Sequence, residues 1–216
     1  MDRGMVIFVG ALLTFSSSWL GLVLYPYWQL QNEQPYAASP TEDPYPRKLE
    51  GKALAGMKVY QANGCMYCHS QQVRSEKFGN WWENGEMKTG ADIKRGWGLR
   101  RTVSRDYLHD RPILLGTMRT GPDLANIGAR QPSRDWHSLH LYDPQITSPG
   151  SVMPRFYYLF DEVKQGEAPR AGAIKVPDGY PNRGSVVAIV PNERGEQLIA
   201  YLKWLNQSFP LPEAQQ

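Results

Sequence analysis

The sequence has few cysteines, no large excess of positive or negative charge and only one long apolar run. Each of these shortages excludes a class of protein. Only two cysteines, Cys65 and Cys68, occur in 216 residues. They are too few for a disulfide-stapled secreted scaffold or for a zinc site made of four cysteines. The 24 basic and 21 acidic residues leave a net charge of +3, which is too balanced for a nucleic-acid binder that neutralises phosphates. With a single long apolar run, a polytopic membrane protein is excluded.

That apolar run lies at the N-terminal end of the chain. Met5 to Leu24 reads MVIFVGALLTFSSSWLGLVL, and a helix of this length, at ~1.5 Å per residue, spans a hydrocarbon core of roughly 30 Å. A cleaved signal peptide is the alternative interpretation. The run is longer than the apolar core of such peptides, however, and the aromatic sequence YPYW follows it instead of a small-residue cleavage site. We predict a retained transmembrane anchor over residues 1–30.

Basic residues next to the anchor predict its orientation. Arg3 precedes the apolar run, whereas the first base after it is Arg47, and basic flanks stay on the cytoplasmic side. We therefore expect a single-pass membrane protein with its amino terminus on the inner side and everything after Trp28 on the outer side. Within the run, small residues recur at positions 10, 14, 18 and 21. Either this pattern lets a helix of an integral-membrane partner approach closely, or it has no role, because small residues are common in any transmembrane helix.

The remainder of the chain divides by composition. Residues 31–50 carry four prolines and predict an extended linker. We expect a domain over 51–210, a tail at 211–216, and short amphipathic helices over 54–63 and 192–206. Between these helices the chain is rich in glycine and proline. We find no alternation of apolar and polar residues that is long enough to predict a strand. So much irregular chain indicates a large bound cofactor that organises it.

The string Cys65-Met66-Tyr67-Cys68-His69 indicates which cofactor this is. Two thiols at this spacing can each form a thioether with a vinyl group of haem, and the histidine that follows becomes an axial ligand of the iron. The alternatives are a redox dithiol, which needs no histidine at this place, half of a zinc site, which lacks further cysteines, and a chance match. We predict one covalently attached haem c, with His69 as a metal ligand.

An electron carrier usually has a sixth ligand to the iron, and a methionine sulfur raises the reduction potential. Of the seven methionines, Met153 is the best candidate because it stands in Ser-Val-Met-Pro, where the proline prevents a helix and leaves a loop. The alternative sixth ligands are Met118, His109, His137 and His140.

A further segment, Thr120 to Leu124 (TGPDL), predicts a rigid turn after the haem motif. Its Pro122 carbonyl can accept the hydrogen bond of the proximal histidine, which orients the ring and raises its basicity. Arg119, directly before the turn, is a candidate for a haem propionate because a guanidinium binds a carboxylate bidentately.

These blocks carry a resemblance to a known family. The order of a first helix, Cys-x-x-Cys-His, Thr-Gly-Pro-Asp-Leu, Met-Pro and a last helix is that of class I cytochromes c. The blocks GCMYCHSQQVR (64–74), RTGPDLANIG (119–128), DWHSLHLYDP (135–144) and SVMP (151–154), together with the anchor, resemble the membrane-anchored mono-haem subunit (subunit II) of cbb3-type cytochrome c oxidases. The resemblance implies a mainly α fold, with a class I cytochrome c-like helical domain and long irregular insertions at about 75–118 and 161–190.

The resemblance also implies a function. In that family the subunit accepts electrons, for which we expect another cytochrome c as donor. It relays them to the low-spin haem of an integral-membrane catalytic subunit, which reduces oxygen and pumps protons. No acid-base or nucleophilic constellation is visible, so we expect no catalysis by this chain alone. The alternatives are the cytochrome c subunit of a nitric oxide reductase or of a quinol-oxidising complex, and, from another class, a haem peroxidase or gas sensor.

The first insertion contains two features of its own. Three tryptophans, Trp81, Trp82 and Trp97, either shield a haem edge, form a subunit contact or belong to a core. We favour the subunit contact, because the loop has little else with which to build a core. Residues 94–105 hold five bases and no acid. They form either a solvated loop or a surface for carboxylates or anionic lipid.

Overall fold

The computed structural model of the chain describes residues 3–180 and 184–214, which divide into two units. The predicted anchor, second insertion and tail also include residues 1–2, 181–183 and 215–216, which lie outside the described residues. The first unit contains α1, Gly4–Leu30, a continuous helix with one π-helical turn at Leu20–Leu24. None of its residues is buried. At 27 residues α1 is long and apolar enough to cross a membrane, which agrees with the predicted anchor.

After α1 the first unit continues without a long helix or strand up to Pro46 and includes a distant segment, Ser104–Leu108. Tyr36 and Tyr45 form an isolated antiparallel bridge. The Tyr45 hydroxyl donates to the buried Asp106 carboxylate at 2.7 Å. The Pro-rich segment that the sequence predicts as a linker is thus tied to residues more than fifty positions away.

The second unit is mainly helical. Its α-helices are α2 (Gly51–Ala62), α3 (Ala91–Lys94), α4 (Ile127–Arg130), α5 (Arg134–Tyr142) and α6 (Glu193–Trp204). The helices predicted at both ends of the domain are confirmed as α2 and α6. The Asn192 side chain caps α6 by accepting from the backbone N–H of Gly195 at 3.1 Å, and Ser133 caps α5 in the same way.

The α2 and α6 helices cross at Gly56. A Cβ atom at that position would lie 1.8 Å from the carbonyl oxygen of Gln197, so the two backbones touch. One turn on, Tyr60 packs edge to face against Tyr201, with ring centroids 5.3 Å apart. Around this crossing lies the core of the unit, whose larger members are Met57, Tyr60, Leu124, Ile127, Leu141, Tyr142, Phe156, Leu159, Phe160, Ile189, Leu198, Ile199, Tyr201 and Leu202.

Contrary to our expectation, both insertions contain strands. The first holds a hairpin of β1 (Trp81–Glu83) and β2 (Glu86–Lys88). The second holds β3 (Phe160–Lys164) and β4 (Ile174–Lys175), and β5 (Val186–Pro191) follows. These three form an antiparallel sheet in the order β3-β5-β4. The strands have two to six residues. Strands of this length are too short for an alternation of apolar and polar residues to be recognised between loops rich in glycine and proline. The fold class, mainly α with irregular insertions, is confirmed.

Candidate haem-binding site

The haem motif follows α2 directly. Gly64 has a positive φ of 68° and turns the chain into a short 3-10 helix, Cys65–Tyr67. Both cysteines are free thiols; Cys65 lies half-buried against the core, and Cys68 is exposed. Burial raises the pKa of the Cys65 thiol to about 12.

His69 is oriented by a single strong hydrogen bond. Its Nδ1 lies 2.7 Å from the carbonyl oxygen of Pro122. A carbonyl can only accept, so Nδ1 carries the proton and Nε2 keeps a lone pair for a metal. Burial lowers the pKa of His69, while the bond to Pro122 acts in the opposite direction. The ring is therefore neutral at pH 7, as an iron ligand must be.

The loop that carries Pro122 approaches His69 more closely than any side chain would allow. A Cβ atom at Gly121 would lie 2.2 Å from Cε1 of the His69 ring. The Gly121 N–H donates to the carbonyl of Cys68 at 2.9 Å, and the Leu124 N–H donates to that of Ser70 at 2.8 Å. The loop and the motif are thus joined by backbone hydrogen bonds on both sides of Pro122.

Met153 lies half-buried on an irregular loop after α5. Its N–H donates to the Ser151 hydroxyl at 3.2 Å, which shapes the turn before Pro154. Its side chain packs against the same core as Cys65 and Met66 of the motif. Its role as the sixth ligand stays a prediction.

A comparison with protein families identifies the chain. The FixO family, described as the mono-haem subunit of cytochrome C oxidase, matches residues 33–176, more than half of the sequence. The chain belongs to this family. It is therefore the mono-haem subunit of a cbb3-type oxidase, with a haem cofactor and a place in electron transport. No curated protein matches the chain closely enough to count as a relative.

The residues of this FixO chain fit a haem. Two thiols, a neutral imidazole with a free Nε2 and a methionine thioether are the donor set of a c-type cytochrome. Apolar side chains adjacent to the motif and to Met153 are exposed: Tyr67, Leu115, Met118 and Val152, the last at 82%. A flat apolar macrocycle would cover such surface. Among the described residues, no group of three or more His, Cys, Asp or Glu is placed to hold a metal ion.

The alternative sixth ligands of the FixO chain differ in their exposure to solvent and in their hydrogen bonds. His137 is only 2% exposed, and its Nε2 bonds to the carbonyl of Gln131 at 2.8 Å. The His140 ring stacks on Trp136 and bonds through Nδ1 to the Thr147 hydroxyl at 2.6 Å. Met118 is 60% exposed, and His109 is half-buried. His137 would have to break a buried hydrogen bond to bind iron, which costs free energy.

Arg119 of the FixO chain lies where the sequence suggested, but it contacts protein groups that the sequence did not indicate. Its Nη1 donates to Asp92 at 2.5 Å, and its Nη2 donates to the carbonyl of Gln72. The propionate contact stays a prediction. The sequence did not point to Asp92, which is fully buried in the first insertion. Its partner Arg74 lies 18 positions before it and its partner Arg119 lies 27 positions after it, and no local motif marks it.

Proposed function

We propose that this FixO subunit carries one covalent haem c, bound by Cys65 and Cys68 through thioethers and by His69 and Met153 at the iron. The bond between His69 and Pro122 supports this proposal most directly. A neutral histidine with one nitrogen fixed and the other open, beside two free thiols, is what a c-type haem requires.

We further propose that the subunit relays electrons from another cytochrome c to the low-spin haem of the catalytic subunit. The haem, when bound, supplies a centre that takes up and gives one electron. The chain's own residues would hold that centre: Pro122 orients the His69 ring, and the proline after Met153 keeps its loop out of a helix. Membership of an oxidase family and an anchor that places the chain in the membrane support this role.

The haem domain belongs, in this proposal, on the periplasmic side. Arg3 precedes α1, and no basic residue follows until Arg47. Because basic flanking residues stay on the cytoplasmic side, the N-terminal end of α1 faces the cytoplasm in this proposal. Protease added to intact spheroplasts should then remove the haem domain. Protection of that domain until the membrane is permeabilised would contradict the orientation.

Spectroscopy on the purified complex tests the ligands. We expect a covalent haem that survives acid extraction in the wild type and is lost in the Cys65→Ala/Cys68→Ala variant. Met153→Leu should lose the ferric absorption band near the red that a methionine sulfur produces, whereas Met118→Leu should keep it. High-spin ferric iron in the resting wild-type protein would exclude a six-coordinate carrier and support a peroxidase or gas sensor.

Rapid-mixing kinetics test the relay. After addition of reduced donor cytochrome c, the haem c of the wild-type complex should be reduced before the low-spin haem of the catalytic subunit. In the Met153→Leu complex the first step, reduction of the haem c by the donor, should slow, because a lost methionine ligand lowers the potential of the haem c and makes it a poorer electron acceptor. Reduction of the low-spin haem should be delayed with it, and equal rates of low-spin haem reduction in both complexes would show that electrons bypass this subunit.

A further inference from the structure

A buried carboxylate in the first insertion sits between two arginines. Asp92, on α3, has no exposed surface. Its oxygens accept from the backbone N–H of Arg74 at 2.9 Å and from the Arg74 guanidinium at 2.8 and 3.1 Å. Arg119 adds a further bond at 2.5 Å. These three residues are the Asp92 cluster. Because one carboxylate receives four hydrogen bonds from two other chain segments, three from Arg74 and one from Arg119, the insertion is fixed to the haem domain.

The Asp92 cluster is charged even though it is buried. Burial raises the pKa of Asp92, but the hydrogen bonds from Arg74 and Arg119 outweigh it, so the net pKa lies below its usual range. A buried carboxylate of this kind depends on both partners, because removing one leaves an uncompensated charge. The position of Arg119 is therefore determined by a residue that does not touch the haem motif.

Arg119 extends from the Asp92 cluster to the segment that follows His69. Its Nη2 donates to the carbonyl of Gln72 and lies 3.7 Å from a carboxylate oxygen of Asp123. Its guanidinium also lies over the Trp97 ring, 5.6 Å from the centroid, as a cation-π contact requires. The side chain thus joins the insertion, the chain after the motif and the loop of Pro122.

The other end of the same loop is fixed by Asp123, which is also fully buried. Its Oδ2 accepts from the Ser70 hydroxyl at 2.6 Å and from the Gln72 N–H at 2.7 Å. Pro122 lies between these two attachments, with Arg119 three residues before it. The carbonyl that bonds His69 is therefore positioned by charged groups on both sides.

We propose that Arg119, held by Asp92, is a positioning residue for His69: it fixes the loop so that the Pro122 carbonyl stays on Nδ1 of the ring. This inference rests on the proposed role of His69 as haem ligand. It also gives the first insertion a function, which is to supply the buried counter-charge. The hydrogen bond to a carbonyl makes the imidazole more basic and favours ferric iron, so loosening the loop raises the reduction potential.

A conservative variant separates this role from a propionate contact. Arg119→Lys keeps the positive charge that a propionate needs, but a single ammonium cannot bridge Asp92 and the Gln72 carbonyl as the planar fork does. A positioning role predicts a raised potential in Arg119→Lys, whereas a propionate contact predicts a nearly unchanged one. Arg119→Ala is less informative because losing the charge itself lowers the potential.

The experiment uses the full chain in detergent, loaded with haem and reduced, with its histidine rings labelled with ¹⁵N. NMR measures how fast the His69 Nδ1 proton exchanges with water in the wild type, Arg119→Lys and Asp92→Asn. A backbone amide of α6 reports global stability, and potentiometry gives the reduction potential. The matched control is Arg95→Ala, which removes a cation that stacks on the same Trp97 ring at 5.0 Å without touching Asp92.

We expect the Nδ1 proton to exchange at least about tenfold faster in both variants while the α6 amide changes little. Arg119→Lys should also raise the potential, and Arg95→Ala should resemble the wild type. Equal acceleration at Nδ1 and at the α6 amide, or a wild-type exchange rate in Arg119→Lys, would overturn the inference. Absence of a haem-shifted His69 signal in the wild type would instead overturn the proposed function, so the two failures are distinguishable.

Discussion

At the scale of single residues, only a hydrogen atom fits as the side chain at position 121. The His69 ring would lie 2.2 Å from a Cβ there, and the backbone on both sides is held by hydrogen bonds to the motif. The loop cannot retreat without breaking them. The orientation of the ring thus depends on contact as well as on the bond to Pro122.

Gly121→Ala should therefore disrupt the proximal side of the haem. Because the methyl group displaces either the ring or the loop, we expect loss of the low-spin spectrum or failure to incorporate haem, measured by absorption spectroscopy of the purified complex. Lys58→Ala is the control, since this side chain is exposed on α2. A normal spectrum in Gly121→Ala would mean that the loop moves more easily than its hydrogen bonds suggest.

His137 predicts a pH dependence of stability. Burial lowers its pKa to about 4, and the charge of Lys203 acts in the same direction, whereas an unfolded histidine titrates near 6.5. Between these values the unfolded state binds more protons, so stability is complete above pH 6.5 and falls as the pH drops towards 4.

From pH 6.5 to 5 this histidine alone should reduce the free energy of unfolding by about 1.5 kcal/mol. In His137→Gln, which cannot titrate, that part of the slope should vanish, even though the variant is less stable overall. Denaturant titrations of both proteins at several pH values measure the difference. Parallel pH profiles would show that His137 keeps its unfolded pKa in the native protein.

At the scale of elements, the crossing of α2 and α6 determines where the motif begins. Gly56 brings the two backbones into contact, and the motif follows α2 within three residues of its end. A side chain at the crossing would push the helices apart, because the obstacle is a backbone carbonyl and not a flexible side chain.

Gly56→Ala should accordingly lower the free energy of unfolding by about 3 kcal/mol, at the upper end of what overpacking costs. Chemical denaturation followed by circular dichroism measures it. Lys58→Ala, on the exposed side of the same helix, should change stability by less than about 0.5 kcal/mol. Similar midpoints for both variants would show that the helices can separate without loss.

The same elements show how far the sequence could predict the fold and the site. The periodicity of α2 and α6 is local, and both helices were predicted from it. The pairing of His69 with Pro122 joins residues 53 positions apart, and it was predicted because the haem motif and the Gly-Pro turn each carry a local sequence signature. The β3-β5-β4 sheet was not, because its strands are short and pair across loops that carry no signal. The bond between Asp92 and Arg119 was missed for the same reason: a buried charge pair between distant segments leaves no pattern in either.

At the scale of the whole molecule, the first unit combines the start of the chain with residues from its middle. Glu33 and Arg105 lie 3.6 Å apart as an ion pair, and both side chains are mostly shielded from solvent. Arg105 also donates to the carbonyl of Gln34, and the Ser104 hydroxyl donates to Glu33 at 3.2 Å. The segment after α1 is thus held by the 104–108 segment and is not a free tether.

Arg105→Ala should release this segment to proteolysis. The guanidinium supplies charge-assisted bonds to Glu33 and Gln34, and losing them raises the fraction of time in which residues 33–46 detach from Ser104–Leu108. We expect chymotrypsin to cleave after Tyr36 roughly tenfold faster in the variant, because cleavage follows the population of the open form. Mass spectrometry of the fragments over time measures this.

Arg111→Ala is the matched control, because it removes the same charge from an exposed side chain whose guanidinium bonds to the carbonyl of its neighbour Asp110. Its cleavage rate should equal that of the wild type. If Arg105→Ala and Arg111→Ala are cleaved equally fast, net charge and not the ion pair controls access to the segment. If only Arg105→Ala is faster, the ion pair with Glu33 is what keeps residues 33–46 on the 104–108 segment of the first unit.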